Sequence, residues 1–262
     1  MAEQNIIKVK GIVTRAVQYK ENDKILTVLT AELGRISVYC HGAKSNKSKF
    51  LTNCRLFCYS EFVLTRKKDF YYIKEADYLE AFFDIVNSMD KLFLGQYFLE
   101  IINEISVEGE RHDGLLRLVL NSLYALSNNL ASFETIKSAF ELRACVEMGV
   151  SPYLQGCRDC GVVQEGTVYF DVLSGNTVCK DCLFKESEAL GEQRGAGIYL
   201  PASPSVIAAL QYVENTKIER LFSFQLAEDN LATFCNITEK YLLSQVGKSF
   251  VTLDLYKEQI KN

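Results

Sequence analysis

Four cysteines place the tightest constraint on this chain. They occur as Cys157-Arg158-Asp159-Cys160 and Cys179-Lys180-Asp181-Cys182, two CxxC pairs with 18 residues between them. Each pair forms a tight knuckle that turns two thiolates toward one point. Two knuckles supply the four soft ligands that tetrahedral Zn²⁺ takes. A thioredoxin-type redox centre needs one such pair at a helix start rather than two. Gly161 follows the first pair and Gly175 precedes the second, at positions that suit ribbon turns, and Thr167 to Val172 reads as a strand between them. Four thiolates leave no open position for water. Cys157, Cys160, Cys179 and Cys182 are therefore expected to hold one structural Zn²⁺ per chain. Such a site contributes on the order of 10 kcal/mol to the folding of its module.

The chain has nine cysteines in all. An odd number, two CxxC pairs and an N-terminus without a basic and then apolar leader point to thiols in a reducing cytoplasm. No apolar run approaches the ~18 to 20 residues that span a bilayer, so no membrane partner is expected. Cys54 and Cys58 fall four residues apart in an expected strand, roughly 13 Å from each other. That is too far to chelate, and both read as core.

Residues 6–79 carry a β pattern. Ile7 to Val13, Ile25 to Thr30, Ile36 to Cys40, Leu56 to Leu64 and a segment from Phe70 are rich in β-branched and aromatic residues, with short polar turns between them. Five such segments in so short a stretch suit a small closed barrel. A five-stranded OB-fold is the natural candidate because closure removes sheet edges. An SH3-like barrel meets the same pattern. From about 82 the apolar period becomes helical. Ser132 is placed to cap one helix that ends at Gly149, and Ser203-Pro204 opens another. Leu231 to Leu243 reads as a long helix and Phe250 to Ile260 as a short one.

Charge is distributed unevenly along this chain. The net charge is −4, which taken whole argues against a nucleic-acid binder. Residues 1–80 nevertheless hold 14 Lys and Arg against 9 Asp and Glu, a net of +5, and the remainder carries −9. The window 35–68 contains eight Lys or Arg against Glu61 alone. Its centre is the loop Gly42 to Phe50, with Lys44, Lys47 and Lys49 among small polar residues. Tyr39, Phe50, Phe57 and Tyr59 are interleaved with these charges. Cations neutralise phosphates and release counterions, and aromatic faces stack on bases. Strand alternation sends most of these aromatics inward, leaving one or two to stack. Arg35, Lys44, Lys47, Lys49, Arg55 and Arg66 are the expected backbone contacts, with Arg15 a further candidate.

Catalysis finds little support. No Walker A, HExxH, GxSxG or post-strand GxGxxG motif occurs. His41 and His112 are the only histidines, and neither has an evident catalytic partner. The expectation is a protein without enzyme activity, without catalytic residues and without a small-molecule substrate. Two other readings use the same lysines: an adaptor whose barrel grips acidic protein tails, and a zinc-ribbon RNA or transcription factor.

Several runs resemble the RecO family of bacterial DNA repair proteins, in its zinc-bearing form. They are Lys10 to Arg15, Tyr19 to Thr27, Glu32-Leu33-Gly34, Gly42-Ala43-Lys44, Lys47 to Phe50, Phe140 to Arg143 with Gly149 and Pro152, the four CxxC cysteines with Phe170 and Gly175, and Ser249 to Leu253. The chain departs from the family's common pattern in that Lys44 and Lys49 stand where the family often carries arginine, and Ser174-Gly175 where it often has two glycines. The resemblance implies an α+β multidomain chain with an N-terminal five-stranded OB-fold barrel over 1–80. An all-α domain would follow over 81–151 and 185–262, with the four-cysteine zinc module embedded at 152–184. It also implies a cytoplasmic, nucleoid-associated recombination mediator that binds and anneals single-stranded DNA, with double-stranded DNA as a further ligand. With RecR, such a protein helps load RecA onto strands coated by single-stranded DNA-binding protein.

Overall fold

The computed structural model describes residues 6–43, 50–67, 70–163, 165–190 and 197–260. The chain divides into two compact units, one built from Met1–Asn128 with Phe250–Asn262 and the other from Asn129–Ser249. This partition cuts across the sequence-expected segments. The first helices after residue 80 and the last helix of the chain belong with the barrel.

The barrel consists of β1 (Ile6–Tyr19), β2 (Asp23–Thr30), β3 (Arg35–Cys40), β4 (Cys58–Lys67) and β5 (Phe70–Ala81). The strands close in the order β1-β2-β3-β5-β4. The 14-residue β1 makes closure possible, because its first half pairs with β4 and its second half with β2. A bulge between Val13 and Arg15 bends β1 between these two tasks. All pairs are antiparallel except β3 with β5. This is the OB-like arrangement, which resolves the choice the strand pattern left open. Alternation fills the interior: Ile36, Val38 and Cys40 of β3 and Phe62 and Leu64 of β4 meet Val9, Val13, Leu26 and Val28.

Two strand limits differ from expectation. β4 starts at Cys58 rather than Leu56, because Phe57 has a φ of 65° and interrupts the ladder. Cys54 therefore lies in a turn, not in β4. β5 runs on to Ala81 by following β4 along its whole length.

Seven α-helices are found among the described residues: α1 (Met89–Ile105), α2 (Asp113–Asn128), α3 (Phe133–Glu147), α4 (Lys180–Leu190), α5 (Pro204–Asn215), α6 (Glu228–Val246) and α7 (Val251–Gln259). None is long and apolar enough to cross a membrane. α1 and α7 pack together in the barrel unit. The rings of Tyr97 and Phe250 lie 5.6 Å apart, and the Thr252 hydroxyl donates to Glu100 at 2.6 Å. Gly34, with a φ of 65°, brings the β2–β3 turn against the α1–α2 connection, since a Cβ there would sit 2.1 Å from the Val107 carbonyl.

In the second unit, strands β6 (Tyr153–Cys157), β7 (Val168–Asp171), β8 (Asn176–Val178) and β9 (Tyr199–Ala202) form a sheet in the order β6-β8-β7-β9. The expected caps are present. The Ser132 hydroxyl accepts from the Thr135 amide at 3.2 Å, and that of Ser203 from the Val206 amide at 3.3 Å with Pro204 in the first turn. Gly149 adopts a φ of 80° just beyond α3.

The helices of this unit are joined by a buried charge cluster. Lys137 Nζ lies 2.8 Å from both Glu141 and Glu239, and the Thr238 hydroxyl donates to Glu141 at 3.0 Å. Glu141 is fully buried. Burial disfavours the Lys137 charge, yet the two carboxylates outweigh burial and raise its pKa. Replacing Lys137 by Met leaves these carboxylates without their cation. The unit should lose about 3–5 kcal/mol, read as a lower denaturant midpoint at constant slope.

Candidate metal centre and nucleic-acid interface

The CxxC pairs are brought together by the small sheet. Cys157 ends β6, Cys160 follows it in the knuckle turn, Cys179 follows β8, and Cys182 lies in the first turn of α4. Their sulfurs all fall within 4.8 Å of one another, and Cys160 Sγ and Cys179 Sγ are 3.9 Å apart. Bonds of about 2.3 Å directed to tetrahedral corners would place thiolates roughly 3.8 Å apart, so the donor set fits such a cation. The Cys182 amide points at Cys179 Sγ from 3.4 Å. Burial opposes ionisation of Cys157. The backbone N–H groups of Cys179, Cys160 and Asp159 outweigh it and hold that thiol at about 6. These dipoles supply the anionic ligand that a metal needs.

The surroundings brace the knuckles. Arg158, inside the first pair, donates to Asp171 at 2.6 Å, and its guanidinium lies 6.0 Å from the centroid of the Tyr199 ring. Gly175 has a φ of 70°, and a Cβ there would meet the Tyr241 hydroxyl at 2.5 Å. Its neighbour Ser174 carries no such restriction and donates its hydroxyl to Asp171 at 2.7 Å. Only the second of the two positions therefore demands glycine.

On the barrel, the structure sorts the interleaved aromatics. Phe57 is fully buried, and Phe50 packs on the barrel core. Tyr59 is half-buried on β4. Tyr39 faces outward in a strip of three tyrosines. Its ring centroid is 5.8 Å from that of Tyr19 at the end of β1, and 5.2 Å from that of Tyr72 on β5. Lys20 Nζ lies 5.4 Å from the Tyr19 ring, and Lys67 Nζ 5.4 Å from the Tyr72 ring. Tyr19, Lys20, Lys67 and Tyr72 are missing from the sequence-expected site. Outward parity counted from Ile36 selects Tyr39, but only barrel closure brings its neighbours to it.

Asp23 ties this strip to the start of the basic loop. Its carboxylate accepts from the Tyr39 hydroxyl, from the Gly42 amide at 2.9 Å and from His41 Nδ1 at 2.8 Å. His41 thus has a partner that a linear reading does not reveal. The Tyr39 hydroxyl foremost, then the Gly42 amide, hold the Asp23 carboxyl below its ordinary 3.8. In return, Asp23 pushes Tyr39 up to about 12.

The expected phosphate contacts divide three ways. Arg15 is exposed on β1. Arg55 and Arg66 are also exposed, each over a ring: Arg55 lies 5.7 Å from the Phe83 centroid and Arg66 5.5 Å from that of Tyr71. Arg35 is turned toward α1 and donates to the Asn103 carbonyl, so part of its guanidinium is committed within the unit. Lys44, Lys47 and Lys49 lie outside the described residues.

Asp23 has a lowered pKa, so its contribution to stability is complete above 3.8 and is lost as the pH falls through the depressed value. Asp23→Asn should abolish that acid dependence. It should also return the Tyr39 phenol from about 12 toward the ordinary 10.0, measured by ultraviolet phenolate titration against Tyr39→Phe.

Comparison with known proteins covers almost the whole chain. The family model described as Recombination protein O N terminal matches residues 1–82, and the one described as Recombination protein O C terminal matches residues 86–254. DNA repair protein RecO of Acetivibrio thermocellus is 33% identical over 97% of each chain. The proteins of that name from Desulforamulus reducens and Caldicellulosiruptor saccharolyticus are 29% and 28% identical, again over at least 96% of each chain. With its OB-like barrel, helical continuation and four-cysteine cluster, the chain belongs to the RecO family of DNA repair and recombination proteins.

Proposed function

We propose that this chain is a non-enzymatic, cytoplasmic recombination mediator. Its barrel binds and anneals single-stranded DNA. Together with RecR it helps load RecA onto strands coated by single-stranded DNA-binding protein. The observation that carries the DNA reading is the tyrosine strip Tyr19–Tyr39–Tyr72, flanked by Lys20 and Lys67 and tied through Asp23 to Gly42, which precedes Lys44, Lys47 and Lys49 in sequence. Stacked bases need accessible ring faces, which Tyr19 offers exposed and Tyr39 and Tyr72 half-buried, and the backbone beside them needs cations. An acidic peptide would use the cations and leave the rings idle. In this reading Arg15, Arg55, Arg66 and the three loop lysines contact phosphates, and Arg35 chiefly fixes the barrel to α1. Because these contacts carry little base information, binding should depend little on sequence.

Two variants separate the contributions. If the barrel neutralises about four phosphates of a single strand, log K should fall with log salt at a slope of about −3. Replacing Lys44, Lys47 and Lys49 together by Ala should flatten that slope. Tyr72→Ala should leave the slope unchanged and weaken binding by about 1–3 kcal/mol if one base stacks there. Fluorescence anisotropy with a labelled oligonucleotide measures both. An unaltered slope in the triple variant would place the strand elsewhere, and tighter binding of an acidic peptide or of RNA would favour the adaptor or RNA reading.

We further propose that the ion of the four-cysteine site is Zn²⁺ in a structural role. Elemental analysis of reduced protein should give one zinc per chain. Chelation should remove hydrogen-exchange protection from β6, β7 and β8 and spare the barrel strands.

A further inference from the structure

We propose that Cys40 and Cys54 form a reversible oxidation site, a dithiol that a hydroperoxide converts to an intrachain disulfide joining the two ends of segment 41–53. The zinc-site reading does not use these cysteines, and the site does not depend on what the segment binds.

Cys40 is the last residue of β3 and points into the barrel; Cys54 sits in the turns before β4. Both are fully buried, and their sulfurs are 3.1 Å apart. A disulfide brings sulfurs to about 2.05 Å, so roughly 1 Å of approach completes the bond. Cys54 belongs to no strand. Its amide is held by a turn bond to the Phe50 carbonyl at 3.0 Å, which leaves it freer to move than a residue locked in a ladder. Local opening of this turn would admit a small oxidant without unpairing the barrel strands.

The two sulfurs have distinct roles. The Cys54 thiol donates to Cys40, which favours the Cys40 thiolate against the opposing effect of burial. Lys24, directly across the ladder from Cys40, favours it too. Cys58 lies beyond the turn, bonded to the Ser60 hydroxyl at 3.4 Å, and burial pushes its thiol up. Cys40 is therefore the attacking sulfur and Cys54 the resolving one. The Cys40 thiolate attacks hydrogen peroxide: an S–O bond forms, the O–O bond breaks, and hydroxide leaves to become water. Cys54 then attacks the sulfenic acid: the S–S bond forms, the S–O bond breaks, and a second water leaves with the Cys54 proton. Two thiols are oxidised by two electrons and one peroxide is reduced to two waters.

The test uses the reduced, zinc-loaded full chain, treated with limiting hydrogen peroxide, quenched, denatured, alkylated and digested with trypsin without reductant. Cleavage places Cys40, Cys54 and Cys58 on three different peptides, 36–44, 50–55 and 56–66. The expected result is a cross-linked 36–44/50–55 species that appears before Cys58 or Cys145 is modified and disappears with dithiothreitol. In Cys54→Ala the same treatment should leave a Cys40 sulfenic acid that dimedone traps; if that variant does not fold, the wild-type map decides. Recovery of Cys40 and Cys54 as alkylated thiols after other cysteines have oxidised, or pairing of Cys54 with Cys58 instead, overturns the proposal.

Discussion

The parallel pairing of β3 with β5 is the contact on which the barrel unit depends. It is short, with register Val38 to Tyr71 and Tyr39 to Tyr72, yet it closes a sheet that would otherwise expose two edges. Its register also sets the chemistry on both sides of the wall. Outside, it puts Tyr39 next to Tyr72 and so completes the aromatic strip. Inside, it packs Val38 and Tyr71 into the core, with Cys40 two residues further on facing the same way. A slip of one residue would exchange the two faces and remove the strip and the dithiol together.

The second unit relies on different physics. Its ribbon has short strands that bury Leu154, Val168, Phe170 and Ala202. At the knuckles, Cys157, Val178 and Cys179 form a small buried cluster, with Cys182, Leu183 and Tyr199 packed against them. Four convergent sulfurs, the Arg158–Asp171 bridge and the close seating of Gly175 on Tyr241 replace what a larger hydrophobic interior would supply. The helices of that unit add a charge cluster of Lys137, Glu141 and Glu239, with Glu141 fully buried at its centre. Arg143, of the Phe140–Arg143 run, supports them from another side: its guanidinium reaches the carbonyls of Val213, Glu214 and Thr216 and so satisfies the C-terminal end of α5.

Net charge illustrates how far an average misleads. The whole-chain value of −4 says nothing about the barrel, whose positive excess lies in the window 35–68. Part of that excess has other partners. Lys8 pairs with Glu61 at 2.6 Å, and Arg35 serves the carbonyl end of α1. The cations beside the tyrosine strip are Lys20, which lies outside the basic window 35–68, and Lys67, which lies inside it.

Wherever the governing physics is local, the sequence alone determined the outcome. Two CxxC knuckles at that spacing have few ways to arrange four thiolates, so the convergence of Cys157, Cys160, Cys179 and Cys182 into a cluster that could hold a metal ion was legible as written. The same holds for the alternation that makes five strands, and for the caps at Ser132 and Ser203, where a hydroxyl meets an amide three residues on. Tertiary structure decided everything that depends on closure and register. It brought Tyr19, Tyr39 and Tyr72 from three strands into one strip and gave His41 its partner in Asp23. Phe57, with its left-handed backbone, withdrew Cys54 from β4 and left it facing Cys40. α7 returned across more than a hundred residues to pack on α1. Each of these joins residues far apart in sequence, and local propensity carries no information about which distant segment will occupy the neighbouring position.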